Sequence, residues 1–353
     1  MFAPTRGASG GLNGVMACSW DPVPRAPGPV AATPRSARVG ALTAYGALLG
    51  AWVGVIGVPN DTLQVFAWLW LGTVAWNVRA PWRSHLGFLR DWWLPVAGLV
   101  VYFFSRGLTD ELGLGVHVHE PIALDRWLGA GVTPTERLQA AWCGNPCVQD
   151  SPPRLFDLYF TTVYATHFIA GLTIAAVLWV RSRSEWQGWM RRLLSINFAA
   201  LAVYIAYPMA PPWMASQMGD LGPAARITGR GWSEIGLERV DLVLQGVGNP
   251  VAAMPSLHAG MSVLIATYGV HRLRSAWRWL LVVYPVSMST ALVYYAEHYV
   301  VDILAGVLLA WLVLAGASAW ERSRRAVPPA GHEEAVAVRP TRVGDGTTGA
   351  STP

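Results

Sequence analysis

His298 and Asp302 stand four residues apart at the front of an apolar run, "YYAEHYVVDILAGVLLAWLVL" (294–314). On a helix that spacing puts both on one face, about a turn apart. It predicts a pair in which Asp302 accepts a hydrogen bond from one imidazole nitrogen. Such a bond fixes the tautomer and raises the basicity of the other nitrogen, which is what a nucleophilic or general-base histidine requires. An isolated H-x-x-x-D fits a structural interfacial pair as well, and spacing alone does not separate the two. Glu297 would point some 100° away from His298 on the same helix, so this reading gives it no role.

A second set lies upstream in "NPVAAMPSLHAG" (249–260). Pro255 and Ser256 are suited to starting a helix, with Ser256 at its N-terminus and His258 in the first turn. The unbonded N–H groups and positive dipole end there favour an anion, phosphate in particular. His258 and His298 are 40 residues apart, enough for a hairpin of two spans around a basic turn at 271–278. That hairpin would return both histidines to the same end of the bundle. Phosphoryl transfer through a phosphohistidine needs such a set: one imidazole to attack, one to protonate the leaving oxygen, and dipoles to hold the phosphate. A zinc site is the other reading of the trio by residue type. The sequence offers no independent metal cage, and neither metal nor cofactor is expected.

The elements that must position these residues are apolar. Of 353 residues, 53% are hydrophobic and only 13% charged, a composition that points to a polytopic membrane protein. The 19 tryptophans fit membrane–water interfaces. All 26 basic residues are arginines, which we read as coding bias, and the net charge is +5. A basic balance raises nucleic acid as a partner. Here most of that charge flanks apolar segments, where it sets orientation, and no nucleic acid is expected.

Eight apolar segments are legible, at about 39–58, 62–78, 91–106, 157–180, 192–208, 253–270, 278–296 and 299–320. A helix crossing a ~30 Å hydrocarbon core needs roughly 20 residues, and the second and third segments are short by that measure. Arginine clusters precede the first segment and follow the second, fourth, sixth and eighth. With eight spans they all fall on one side, which the positive-inside rule makes cytoplasmic. The expected fold is an all-α polytopic membrane helical bundle of about eight transmembrane helices, both termini cytoplasmic. Residues 1–37 read as a disordered cytoplasmic leader, 38–321 as the transmembrane domain and 322–353 as a disordered cytoplasmic tail.

The opposite side owns two long loops, about 107–156 and 209–252. The first holds "TPTERLQAAW", a predicted short helix with Thr133 as cap, Pro134 in the first turn and Glu136 completing a capping box. "WCGNPC" fits a small disulfide between Cys143 and Cys147 on an oxidising face, and equally two ordinary thiols. Cys18 has no evident structural role. "VHVHEP" (117, 119 and 120) reads as outer-loop structure. His167, about ten residues into the fourth segment, is an ionisable group at membrane depth, and neutral packing is the reading preferred for it.

The ordered elements "PSLH" and "HYVVD" resemble the second and third motifs of the type 2 phosphatidic acid phosphatase superfamily, P-S-G-H and S-R-x5-H-x3-D. Leu257 in place of the motif glycine, "HYVVDILAG", and the preceding "YPMAPPW" (207–213) are closer to its inositol phosphorylceramide synthase-like, or inositolphosphotransferase, branch. The specific matches cover about 204–306. The resemblance implies that His298 is the nucleophile and Asp302 its orienting carboxylate. It further implies that His258 is the acid that protonates the departing alcohol and then the base that activates the acceptor, with Ser256 on phosphate oxygens. By its residues, "YPMAPPW" reads as a rigid extended turn with Tyr207 and Trp213 at headgroup depth, which either shapes the lipid entrance or only terminates a helix.

The chain departs from the pattern in its cations. It has no Lys-x6-Arg-Pro motif, and Leu292 stands where an arginine precedes the nucleophile. A phosphate still needs cationic help. Arg106 is the first candidate, followed by Arg226, Arg230 and Arg239. The expected protein is a multi-pass cell-membrane enzyme with its active site on the non-cytoplasmic face. It would act as a lipid phosphatase or phosphotransferase on a lipid phosphate or phosphodiester, with water, a polyol or a lipid hydroxyl as acceptor. The rival from another class is a non-enzymatic transporter or scaffold that keeps the His/Asp residues for packing. A soluble vanadium haloperoxidase, which uses a related site, is disfavoured by the spans.

Overall fold

The computed structural model describes residues 33–57, 59, 62–107, 113, 115–148, 152–233 and 249–326. Most of the expected leader and tail, with Cys18 and Arg239, lie outside the described residues. Each of the eight apolar segments carries a helix, as hydrocarbon demands of a backbone with no water to bond. They are α1 (Arg35–Val55), α2 (Thr62–Trp76), α3 (Trp82–Gly107), α6 (Leu155–Arg181), α7 (Arg183–Ala206), α10 (Leu257–Arg272), α11 (Val283–Tyr294) and α12 (Val300–Ala326). A 3₁₀ turn at Ala276–Val282 leads into α11.

The chain is a polytopic helical membrane protein. Among the described residues, five stretches are long and apolar enough to cross a bilayer: α1, α3, α6, Ala276–Tyr294 and α12 up to Arg324. The other three fall short for visible reasons. α2 has 15 residues and α10 has 16, while α7 opens on the charged "RSEWQGWMRR".

One apolar core gathers Trp92, Trp189, Ile196 and Leu264 between α3, α7 and α10, with Ala175 and Trp179 of α6. A second packs Phe160 and Tyr164 of α6 against Met288, Leu292 and Tyr294 of α11. α10 and α12 approach most closely at two glycines. A Cβ on Gly260 would lie 2.9 Å from the Gly306 carbonyl oxygen, and one on Gly306 would collide with the Ser256 carbonyl. Only glycine permits this approach, and it fixes how far apart the two helix starts can be.

Ion pairs collect at the far ends of these helices. Arg192 bonds Glu321 at 2.8 Å, Arg183 lies 3.2 Å from Asp91, and Arg272 pairs with Glu185.

Among the described residues the near ends are covered by short helices: α4 (His119–Leu128), α5 (Pro134–Trp142), α8 (Pro212–Met218) and α9 (Arg230–Ser233). α5 has the expected capping box, with Thr133 Oγ1 accepting from the Glu136 amide at 3.3 Å and Glu136 Oε2 from the Thr133 amide at 3.0 Å. Cys143 and Cys147 form a disulfide just beyond it. Gln139 pins α5 down, donating to the carbonyls of Ala225 (2.7 Å) and Tyr294 (2.8 Å) and accepting from the Ala225 amide at 2.9 Å. Three extended stretches meet at isolated bridges, His117 with Met209 and Met209 with Ala252. These tie the segments after α3 and α7 to the one leading into α10.

Candidate active site

Under that cover, at the near ends of α3, α6, α7, α10 and α12, lies a cavity of about 270 Å³. Its wall carries Arg106, His167, Trp213, Arg226, His258 and both Glu297 and His298, among other residues.

The start of α12 differs from the expected continuous helix. The chain leaves α11 through a turn in which Ala296 adopts φ +58°. The Leu292 carbonyl then accepts the amides of Glu297 (3.0 Å) and His298 (3.3 Å). The helix begins only at Val300, so His298 precedes it and Asp302 lies in its first turn. The cause is capping: Asp302 Oδ2 accepts the Tyr299 amide at 2.9 Å, while Asp125 of α4 accepts those of Val300 (3.1 Å) and Val301 (3.2 Å). Three amides that a helix start leaves unbonded are thus taken by two fully buried carboxylates. Burial pushes the Asp125 carboxyl up, against the opposing pull of the Val300 and Val301 amides.

Across this turn His298 Nδ1 comes to 3.4 Å from Asp302 Oδ2, leaving Nε2 as the other ring nitrogen. His258 faces it, ring centroid to ring centroid 5.9 Å. Pro255 and Ser256 begin α10 as expected. Ser256, however, is fully buried, and its Oγ caps the helix by accepting the Ala259 amide at 3.3 Å. Its own amide donates to the Asp302 carbonyl at 2.9 Å, which binds the two helix starts to each other. The hydroxyl caps the helix and is not itself on the cavity wall, which its neighbours Leu257 and His258 line.

The cations come from two directions. Arg106, at the end of α3, lies over Tyr204 at 5.9 Å, and its carbonyl accepts from Asn249 Nδ2 at 2.9 Å. Arg226 enters from the stretch between α8 and α9, stacked over Trp213 at 4.9 Å, with its Nε 2.8 Å from Glu297 Oε1. Thr228 Oγ1 donates to the same oxygen at 2.5 Å. Glu297, which a helical projection turned away from the site, therefore faces it from the turn.

Arg230 is elsewhere, buried beside Asp157 and donating to the Pro152 carbonyl at 2.6 Å. Leu292 is fully buried in the α6–α11 core and meets the site only through its carbonyl. Tyr207 caps α7 and stacks on His117 at 3.8 Å; Trp213 lines the cavity and Tyr207 does not. Among the described residues, no three His, Cys, Asp or Glu side chains are grouped to hold a metal ion.

Sequence reasoning also missed wall residues: Tyr164, Tyr204 and Asn249 had no assigned role, and His167 was read as packing. The i,i+3 spacing of Tyr164 and His167 was the available signal, since it places both on one face of α6.

Residues 122–316, more than half of the chain, match the PAP2 superfamily. The chain belongs to that superfamily. The phosphoinositol dihydroceramide synthase of Bacteroides thetaiotaomicron is 33% identical over 132 residues, 34% of this chain and 42% of the relative. The catalytic subunit of inositol phosphorylceramide synthase of Schizosaccharomyces pombe is 33% identical over 131 residues, 35% of this chain and 30% of the relative. The chain thus spans less than half the length of either curated relative. No solved structure matches it.

Proposed function

We propose that this protein is an integral membrane enzyme that transfers the phosphoryl group of a lipid phosphate or phosphodiester through a phosphohistidine at the outer leaflet. His298 Nε2 attacks phosphorus while Asp302 holds Nδ1 and stabilises the cation that forms. The bond from phosphorus to the leaving oxygen breaks, and His258, protonated, gives that oxygen its proton. The neutral His258 then takes the proton of an incoming hydroxyl, whose oxygen attacks phosphorus. The N–P bond breaks, and both histidines return to their starting states. Arg106 and Arg226 hold the non-bridging oxygens, where fixed charge in a dry site is worth most.

The observation that carries this reading is the convergence of His258, His298, Arg106 and Arg226 on one cavity, with Asp302 behind the nucleophile. The topology that goes with it has eight spans and both termini cytoplasmic. It is supported by the eight helices and by the ion-paired arginines at the ends opposite the cavity. The disulfide on the cavity side is consistent with an oxidising compartment. The likeness to two synthases, of phosphoinositol dihydroceramide and of inositol phosphorylceramide, favours transfer to a lipid hydroxyl over hydrolysis, with a phosphoinositol lipid as donor.

The test incubates purified protein with labelled phosphatidate or phosphatidylinositol, with and without ceramide or inositol. A labelled transfer product that needs the acceptor supports the transferase. Free phosphate as the sole product makes it a phosphatase. Turnover of any of these lipids that is unchanged in His258→Ala and His298→Ala would overturn the catalytic reading and leave a scaffold or transporter.

A further inference from the structure

His167 stands on α6, ring to ring with His258 at a centroid distance of 3.9 Å and a tilt of 32°. Its Nδ1 is sealed from solvent and bonds nothing, yet the ring lines the cavity. Nε2 is therefore the nitrogen left to meet a ligand. A neutral imidazole carries one N–H and one lone pair. An orphaned buried N–H is rarer in proteins than an orphaned acceptor, which favours the proton on Nε2, where it can be donated into the cavity.

The phosphoryl group needs such a donor. Its transition state spreads charge over three equatorial oxygens. The two arginines reach the cavity from α3 and from the stretch between α8 and α9, while Ser256 caps its own helix and is not on the cavity wall.

We infer that His167 is a substrate-binding residue, whose neutral Nε2–H bonds a non-bridging oxygen of the phosphoryl group on the α6 side of the cavity. This rests on the phosphoryl-transfer reading of the site. It adds a role that packing against His258 does not require, and the two roles separate by substitution. His167→Gln keeps a donor near the Nε2 position without an aromatic ring. His167→Phe keeps a ring against His258 without a donor. His167→Asn holds its amide too short to reach the cavity.

The probe is orthovanadate, a mimic of phosphorus in transfer, measured as inhibition and as direct binding alongside lipid turnover. A lost hydrogen bond to a charged group corresponds to about 10- to 100-fold. His167→Phe and His167→Asn are expected to lose that much in both vanadate affinity and kcat/KM, with His167→Gln staying close to wild type. The inference is overturned if His167→Phe matches wild type while His167→Gln fails, since the ring alone then matters. Equal losses in all three variants overturn it too. Should wild type itself neither bind vanadate nor turn over lipid phosphates, the phosphoryl-transfer reading fails and this assignment goes with it. Wild type that works beside a normal His167→Phe removes this assignment alone.

Discussion

Asp302 Oδ2 lies 3.4 Å from His298 Nδ1 and 2.9 Å from the Tyr299 amide, so one carboxylate oxygen sits beside the imidazole and caps the helix behind it. Asp302→Asn keeps the shape of this arrangement and removes its charge. We expect turnover to fall by about 10² to 10⁴, the range for losing an aligned acid–base partner. Because the Asn side chain still offers an oxygen to the Tyr299 amide, the apparent melting temperature in detergent should change little. Rates and melting curves on the same preparation check both halves.

The two arginines are predicted to act on substrate rather than on the fold. Arg106→Ala and Arg226→Ala should each lower kcat/KM by about 10- to 100-fold, as expected for hydrogen bonds to a charged group. A lipid without a phosphate should compete equally well with both variants and with wild type. Competition that weakens for the uncharged lipid too would mean a collapsed site instead.

Gly260 and Gly306 set the spacing of the helices that carry His258 and Asp302. A methyl at Gly306 has to push the backbone of Ser256 aside, which costs about 1–3 kcal/mol as overpacking. Gly306→Ala should thus lower both thermal stability and turnover, whereas Gly316→Ala, with open space around it on the same helix, should lower neither.

Asp125 gives a pH test from outside the membrane spans. Burial raises its folded value above the unfolded one, so the folded chain holds this proton more tightly. Its contribution is therefore full below the ordinary carboxylate value of ~3.9 and is lost as pH rises through the raised value. The melting temperature of wild type minus that of Asp125→Asn should fall from acid to neutral pH. Asp125→Ala, which orphans the Val300 and Val301 amides, should melt below both by about 1–3 kcal/mol of stability.

The eight helical segments, the α5 capping box and the return of both histidines to one end were legible in the sequence, because each follows from local pattern. Periodicity and span length fix the helices, and a hairpin of known length fixes which ends meet. The start of α12 was not legible. It depends on Asp125, 175 residues away from Val300 along the chain, whose bond to the helix start sequence pattern does not encode. Extending the helix back to Glu297 therefore turned that residue away from the site it faces. Arg226 entered the sequence reading as one loop charge among several. What distinguishes it is Trp213 beneath its guanidinium and Glu297 beside it, both tertiary contacts. Ser256 was legible as the residue at the helix start, where its hydroxyl accepts the Ala259 amide as the cap.

The central claim is that phosphorus is bonded to His298 during turnover. The most direct measurement mixes enzyme with lipid carrying ³²P in its headgroup, quenches on the millisecond scale, and maps the labelled peptide. An acid-labile, base-stable label on His298 is expected. It should be absent from His298→Asn, and it should build up in wild type when acceptor is withheld. Turnover with no protein-bound label at any quench time, or a label on another residue, would contradict it.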